Sequence, residues 1–402
     1  MKRLYISLIK EHFRCNQQMI FLIGPRQAGK TTVSLMTKEF TSQFTYLNWD
    51  NLDHRKIILE GVNSVADFSE LNKLTSEKPI IVFDEIHKYS KWKTFLKGFF
   101  DTYKGKVNII VTGSSRLDVY KKGGDSLMGR YFPYRLHQLS LAELRRTDLS
   151  KQEITEPFKS KDQDFEKLLK NGGFPEPFIK DNPRFLNRWK SLRQEQLIRE
   201  DIRDLSRIQE LGQIELLAEI LRHQAGQLTN YSKLSNKINV SSDTVRRWIK
   251  TLQGFFYCFT VQPWSKNIPR SLIKEPKTYL WDWINVYDEG SRAENLIASH
   301  LLKAAHYWTD CGLGQYALWF IRDKEKREVD FLVSRDKKPW FLVEVKSSSK
   351  SKISKNLVHF QEKTKAKHAF QIAFDMEYVP KDCFKHTRPI IVPARTFLTQ
   401  LV

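Results

Sequence analysis

The chain has 402 residues, with 67 Lys plus Arg against 46 Asp plus Glu and a formal net charge of +21. That length suffices for several separately cored units, and the charge favours a polyanionic partner over a small neutral substrate. No apolar run approaches the ~18 residues a membrane span needs, and no basic amphipathic stretch stands out, so a membrane partner is not expected. Cys15, Cys258, Cys311 and Cys383 are far apart and form no C-x-x-C pair, which argues against a zinc site or a disulfide framework and fits a reducing cytoplasm. Lys2, Lys10, Glu11 and Arg14 interrupt the first apolar stretch, so it does not read as a signal peptide.

The apolar run Ile20 to Ile23 is followed at once by Gly24-Pro25-Arg26-Gln27-Ala28-Gly29-Lys30-Thr31-Thr32. This has the form G-x-x-x-x-G-K-[ST], with a strand before it and the helix-compatible run Lys30 to Phe40 after it. Glycines let backbone N–H groups close around a polyphosphate, the lysine reaches the outer phosphates, and the Thr31 hydroxyl faces Mg²⁺. A nucleotide polyphosphate with Mg²⁺ is therefore the expected ligand of Gly24 through Thr32, which the family resemblance given below makes ATP.

Thr45 to Trp49 reads as a second strand, and Ile80-Ile81-Val82-Phe83-Asp84-Glu85 as a buried strand ending in two carboxylates. The carboxyl end of such a strand is where parallel sheets bind ligands. Asp84 is expected to hold Mg²⁺ and Glu85 to polarise the attacking water. Val107 to Val111 leads into Thr112-Gly113-Ser114-Ser115. Ser114 and its neighbours either sense a terminal phosphate or form a polar turn. Strands alternating with helix-like segments up to about residue 145 predict a parallel sheet covered by helices. Ser150 to Pro183 is polar and punctuated by Pro and Gly, and Arg184 to Arg207 has helical periodicity, which together read as a helical connector.

Ile214 to Trp264 has a different pattern. Helix-like Ile214 to His223 and Ser232 to Lys237 precede Ser242 to Leu252, where Val245, Trp248, Ile249 and Leu252 share one face and Arg246, Arg247 and Lys250 the other. This spacing predicts a helix-turn-helix, with Phe255 to Pro263 as its wing. Arg246, Arg247 and Lys250 are the candidate DNA contacts if the second helix enters a major groove, while a purely structural role remains the alternative.

The last region holds Glu294 near the start of a helix-like stretch (Arg292 to Tyr307), Asp330 in the strand-like run Glu328 to Val333, and Glu344 and Lys346 in the strand-like run Phe341 to Lys346. Arg335 to Pro339 is of hairpin length, so Asp330 can lie beside Glu344 and Lys346, which share a strand face. Two carboxylates about 4 Å apart repel by roughly 4 kcal/mol at an effective dielectric near 20. A divalent ion supplemented by Lys346 would compensate, and the same arrangement activates water for attack on a phosphodiester. Glu294, Asp330 and Glu344 are the expected metal ligands; Asp330, Glu344 and Lys346 are the expected catalytic groups. A solvated strand-end pair of Lys346 and Glu344 is the alternative.

These motifs, with Gly172-Gly173-Phe174-Pro175-Glu176-Pro177, resemble a prokaryotic family of AAA-plus ATPases that carry a restriction-nuclease-like carboxy-terminal domain. The carboxy-terminal set is similar to the PD-(D/E)xK nuclease signature, although Val329 stands where that signature has proline. The resemblance implies an α/β fold: a P-loop core with a parallel sheet at 1–149, a helical connector at 150–211, a winged-helix-like domain at 212–275 and a nuclease-like domain at 276–402. It also implies that Arg130, in Met128-Gly129-Arg130, is a finger or sensor arginine, acting in cis or from a neighbouring copy in a homo-oligomer. The expected function is an ATPase that binds DNA and cleaves it with metal. The alternatives are an ATPase switch whose carboxy-terminal domain binds DNA without cutting, or one whose carboxy-terminal domain contacts protein.

Overall fold

A computed structural model describes residues 1–113, 127–202, 210–265 and 274–402. Chain contacts divide it into two compact units, residues 1–137 with 147–149, and residues 138–146 with 150–402.

The first unit is built on a parallel sheet in the order β2-β3-β4-β1-β5, with β1 at Met19–Ile23, β2 at Phe44–Asn48, β3 at Ile80–Asp84, β4 at Asn108–Gly113 and β5 at Tyr131–Arg135. Every residue of β1 and β3 is buried, as expected of strands covered on both faces, which read as unbroken apolar runs rather than alternating ones. The four sequence-derived strands lie within a residue or two of where they were expected. β5 was not expected: Tyr131-Phe132-Pro133-Tyr134-Arg135 has no apolar run, and its proline is tolerated because β5 is an edge strand.

The second unit starts with short helices and reaches three that pack around one apolar cluster, Leu211–His223, Tyr231–Ile238 and Ser242–Gly254. The last is amphipathic as the spacing predicts: Val245, Trp248, Ile249 and Leu252 are buried. Ser241 caps it by accepting from the Thr244 N–H, which satisfies one of the amides a helix start leaves open.

A seven-stranded mixed sheet follows in the order β12-β11-β10-β9-β8-β6-β7. Its strands are β6 (Cys258–Pro263), β7 (Lys277–Leu280), β8 (Tyr316–Arg322), β9 (Glu328–Arg335), β10 (Lys338–Lys346), β11 (His368–Ala373) and β12 (Ile390–Pro393). The segment expected to be a wing, Phe255 to Pro263, supplies β6, which pairs with β7 antiparallel and β8 parallel. The expected boundary at 275/276 therefore falls inside a single sheet, because β6, which precedes it, is hydrogen-bonded to β7 and β8, which follow it. The 22-residue helix Glu289–Asp310 is fixed to the sheet edge by Asn295, whose side-chain amide exchanges both hydrogen bonds with the Leu280 backbone.

Candidate functional sites

In the first unit, the loop after β1 begins where main chains nearly touch. A Cβ on Gly24 would lie 2.2 Å from Leu136 O, next to the bond from Leu136 N–H to Ile23 O, so only glycine fits at this position. Gly29 takes a left-handed φ of 96° and leads into the helix Lys30–Met36. The Lys30 ammonium is buried and donates to Gly24 O and Pro25 O, each at 2.9 Å. Thr31 Oγ1 donates to Asp84 Oδ2 at 3.0 Å. This contact joins the two sequence motifs, and oxygen donors of this kind suit Mg²⁺. Arg26, Gln27, Thr31 and Thr32 are exposed at the loop mouth.

Asp84 also accepts from Tyr46 and Thr112 hydroxyls. Burial, and then the hydrogen bond to Asp84, raise the Tyr46 pKa, so the phenol stays protonated as a donor. Glu85, in a left-handed conformation with φ 55°, lies 3.6 Å from Lys88 Nζ and 3.7 Å from His87 Nε2. Burial, against the pull of Lys88, raises its pKa from the ordinary carboxylate value, the direction a general base needs.

Two functional contacts were missed in the sequence. Arg3 donates to Ala28 O at 2.6 Å and to His137 O at 2.7 Å, tying the phosphate loop to the far end of the unit's chain. Tyr46 lies in a strand that carries no motif. Ser114 falls outside the described residues. Arg130 is not brought to the loop: its carbonyl accepts from Met19 N–H at the start of β1, and its guanidinium pairs with Asp101. The phosphate loop leaves the far end of this five-residue strand, roughly 16 Å away, so this arrangement does not bring Arg130 beside its own chain's phosphate loop.

Arg246, Arg247 and Lys250 are exposed on the helix Ser242–Gly254. The Arg246 guanidinium lies 4.1 Å from the centre of the Tyr231 ring.

The carboxylates of the second unit do converge. β9 and β10 form a hairpin whose last ladder pair is Phe331 with Val343. Just beyond it Asp330 Oδ2 accepts from Val345 N–H at 2.8 Å, so a side chain takes over where the main-chain ladder ends. Lys346 Nζ donates to Glu344 Oε1 at 2.9 Å, while Glu344 Oε2 is buried with no hydrogen-bond partner among the described residues. Burial, then the nearby Asp330, push Glu344 up to about 7. Burial, then Asp330, also push Glu294 up to about 7.

Lys277, which the sequence reading did not single out, lies among them. Its Nζ is 2.7 Å from Glu328 Oε1, 3.4 Å from Glu294 Oε1 and 3.8 Å from Asp330 Oδ1. Burial lowers the Lys277 pKa, but Glu294, Asp330 and Glu328 outweigh it and the net shift is upward. Tyr279, two residues along the same strand face, donates to Glu294 Oε1 at 2.6 Å. The expected three-carboxylate set of Glu294, Asp330 and Glu344 therefore does not stand open, because an ammonium and a phenol hold Glu294. Among the described residues no group of three or more His, Cys, Asp or Glu is arranged to hold a metal ion. Asp330 and Glu344 still fit one Mg²⁺, which is commonly bound by one or two carboxylates with waters and substrate oxygens; the partnerless Glu344 Oε2 is the observation that favours this.

Comparison with known proteins bears most directly on the first site. Residues 16–145 match a family described as an AAA domain. The amino-terminal segment carries an AAA-type ATPase domain. Beyond this ATPase domain, residues 162–283 and 289–392 match two domains of unknown function, DUF8612 and DUF4143. Uncharacterized proteins from Mycobacterium bovis and Mycobacterium tuberculosis are each 23% identical over 346 residues, covering 84% of this chain and 72% of the relative. The structure of AMPPCP-bound DnaA from Aquifex aeolicus overlaps 62% of this chain and 87% of its own, at 14% identity and a TM-score of 0.33. A Thermotoga maritima RuvB structure overlaps 64% and 86%, at 17% identity and a TM-score of 0.29. Overlaps this loose bear on no residue's role. Among the described residues no helix is long and apolar enough to cross a membrane.

Proposed function

We propose that the protein is an ATP-dependent DNA-acting enzyme, in which ATP turnover in the first unit governs DNA engagement and the carboxylate site of the second unit cleaves phosphodiester bonds. In the first unit Lys30 and the loop amides hold the phosphates, and Thr31 and Asp84 hold Mg²⁺. Glu85 takes a proton from water as the water oxygen attacks the terminal phosphorus, and the bond to the bridging oxygen breaks to give ADP and phosphate. In the second unit Asp330 and Glu344 hold a divalent ion, which when bound lowers the pKa of water and neutralises phosphate charge. Lys346 would hold an anionic phosphodiester oxygen, a role that its partly exposed side chain (38%) and its ammonium 2.9 Å from Glu344 support. Arg246, Arg247 and Lys250 supply phosphate contacts, in keeping with the net charge of +21.

The cleavage reading rests on the buried, partnerless Glu344 Oε2 beside Asp330 and Lys346. A non-cleaving, DNA-binding role for the second unit is favoured instead by the Lys277 ammonium, which already neutralises part of the cluster. Supercoiled DNA incubated with Mn²⁺, with and without ATP, separates the two readings. The cleavage reading expects nicking that Asp330→Asn and Lys346→Ala each reduce at least a hundredfold. Binding without nicking would leave only the second reading. Lys30→Ala is expected to abolish ATP hydrolysis, and an unchanged rate would remove the phosphate-loop assignment.

A further inference from the structure

Lys277 is an unusual resident of an acidic cluster. It is 4% exposed, and its ammonium reaches carboxylates from two elements, Glu294 on the helix Glu289–Asp310 and Glu328 and Asp330 on β9. A lysine has three N–H donors and no acceptor; Glu328 and Glu294 lie within hydrogen-bonding distance of them and Asp330 at ion-pair distance. Glu294 is closed off further: Tyr279 holds Oε1, and Gly226, at φ +80°, approaches so closely that a Cβ there would lie 3.1 Å from that oxygen.

Charge decides what else the cluster can take. Glu294, Glu328, Asp330 and Glu344 carry four negative charges when ionised. Among the described residues Lys277, Lys346 and Arg322, whose Nη1 is 3.0 Å from Glu328 Oε2, carry three positive ones. One negative charge remains. A single divalent ion turns that into one positive charge, whereas two ions would leave three positive charges in a largely buried site, an arrangement that low-dielectric surroundings disfavour steeply.

We propose that Lys277 is a built-in cation occupying the place of a second metal, so that the cluster holds one divalent ion, at Asp330 and Glu344. This rests on the metal-site reading of the second unit. It assigns a specificity role to a residue that belongs to none of the sequence motifs. With Lys277 neutralised the cluster carries two negative charges, so a second ion among Glu294, Glu328 and Asp330 leaves two positive charges rather than three.

The test is Mn²⁺ binding to the full chain without nucleotide, followed by calorimetry and electron paramagnetic resonance, with Asp330→Asn subtracted to isolate this site. The wild-type protein is expected to lose one Mn²⁺ on that subtraction and to show an isolated, uncoupled signal. Lys277→Gln is expected to raise the count to two, with the broadened signal of an exchange-coupled pair, and Lys277→Arg to keep it at one. A count of one in a folded Lys277→Gln variant overturns the inference and leaves Lys277 a structural ion-pair partner. A coupled pair in the wild-type protein overturns it too, and that reading does not depend on how the variants fold. If Asp330→Asn binds as much Mn²⁺ as the parent, the metal reading itself falls and the inference with it.

Discussion

Arg3 has the least conspicuous sequence context of any residue at the nucleotide site and one of the more direct structural roles. Its guanidinium holds the carbonyl of Ala28 inside the phosphate loop and that of His137 outside it, and charge-assisted bonds of this kind contribute about 1.5 to 3 kcal/mol. Arg3→Ala is expected to loosen the loop without removing a phosphate ligand. The expected result is a rise of about tenfold in the Kd for ATP, equivalent to ~1.4 kcal/mol, measured by calorimetry, with Lys30→Ala as the null-binding reference. His300 is a second residue whose state the surroundings fix. Its Nε2 accepts from Leu141 N–H and its Nδ1 donates to Leu296 O. Burial lowers its pKa to about 4, and nearby Lys303 also lowers it. Because the unfolded chain binds the proton more readily, this histidine withdraws stability as pH falls from the ordinary histidine range toward about 4. Between pH 7 and pH 5 the wild-type protein is expected to lose roughly 2 kcal/mol more than His300→Gln in urea unfolding. Equal losses would show that His300 titrates normally.

Among the elements, the β9–β10 hairpin is the one on which the carboxylate site depends. Its turn residues, Asp336 and Lys337, have φ values of 49° and 66°, the left-handed pair that a two-residue hairpin turn requires and that Asn-Gly or Asp-Gly usually supplies. Asp336 compensates by accepting from Gln315 N–H at 2.9 Å, and Lys337 has no such bond among those described. Lys337→Gly is therefore expected to stabilise the second unit by about 1 kcal/mol, read as a rise in melting temperature. The hairpin was legible in the sequence from the length of the segment between two strand-like runs. Its turn type was not, since Asp-Lys is not a sequence that advertises positive φ. β5 was missed for a related reason: an edge strand needs no continuous apolar run, and Pro133 counts against a strand until its edge position is known. Helix Ser242–Gly254 was the most legible element, because a polar cap and a buried stripe at helical spacing are both local signals.

For the whole molecule, the charge of +21 makes the sharpest prediction. If DNA is the partner, affinity is expected to fall linearly with the logarithm of salt concentration, since each phosphate contact releases counterions. Replacing Arg247 and Lys250 together with Ala is expected to lower the slope by about two and to weaken binding similarly on unrelated sequences. Fluorescence anisotropy across a salt series measures both, and an unchanged slope would place the DNA contacts elsewhere. Arg130 also belongs to this scale. Its position just before β5, away from its own phosphate loop, makes a second copy of the chain the expected route to any role in ATP hydrolysis. Arg130→Ala is then expected to lower ATPase activity only at protein concentrations where copies associate.

The phosphate loop, the Asp84-Glu85 strand end and the Glu344-Lys346 pair were readable without coordinates. Each consists of near neighbours in the chain whose chemistry follows from spacing on a strand or in a loop. Arg3, Tyr46 and Lys277 were not, and the sheet that runs across the expected 275/276 boundary has the same cause. Their partners lie from 17 to more than 100 positions away along the chain, and no local pattern records which distant side chains folding will bring together. Sequence therefore determined which reactive groups exist, while tertiary structure decided their neighbours. In a buried site the neighbours fix charge, and charge decides whether a carboxylate meets a metal ion or a lysine.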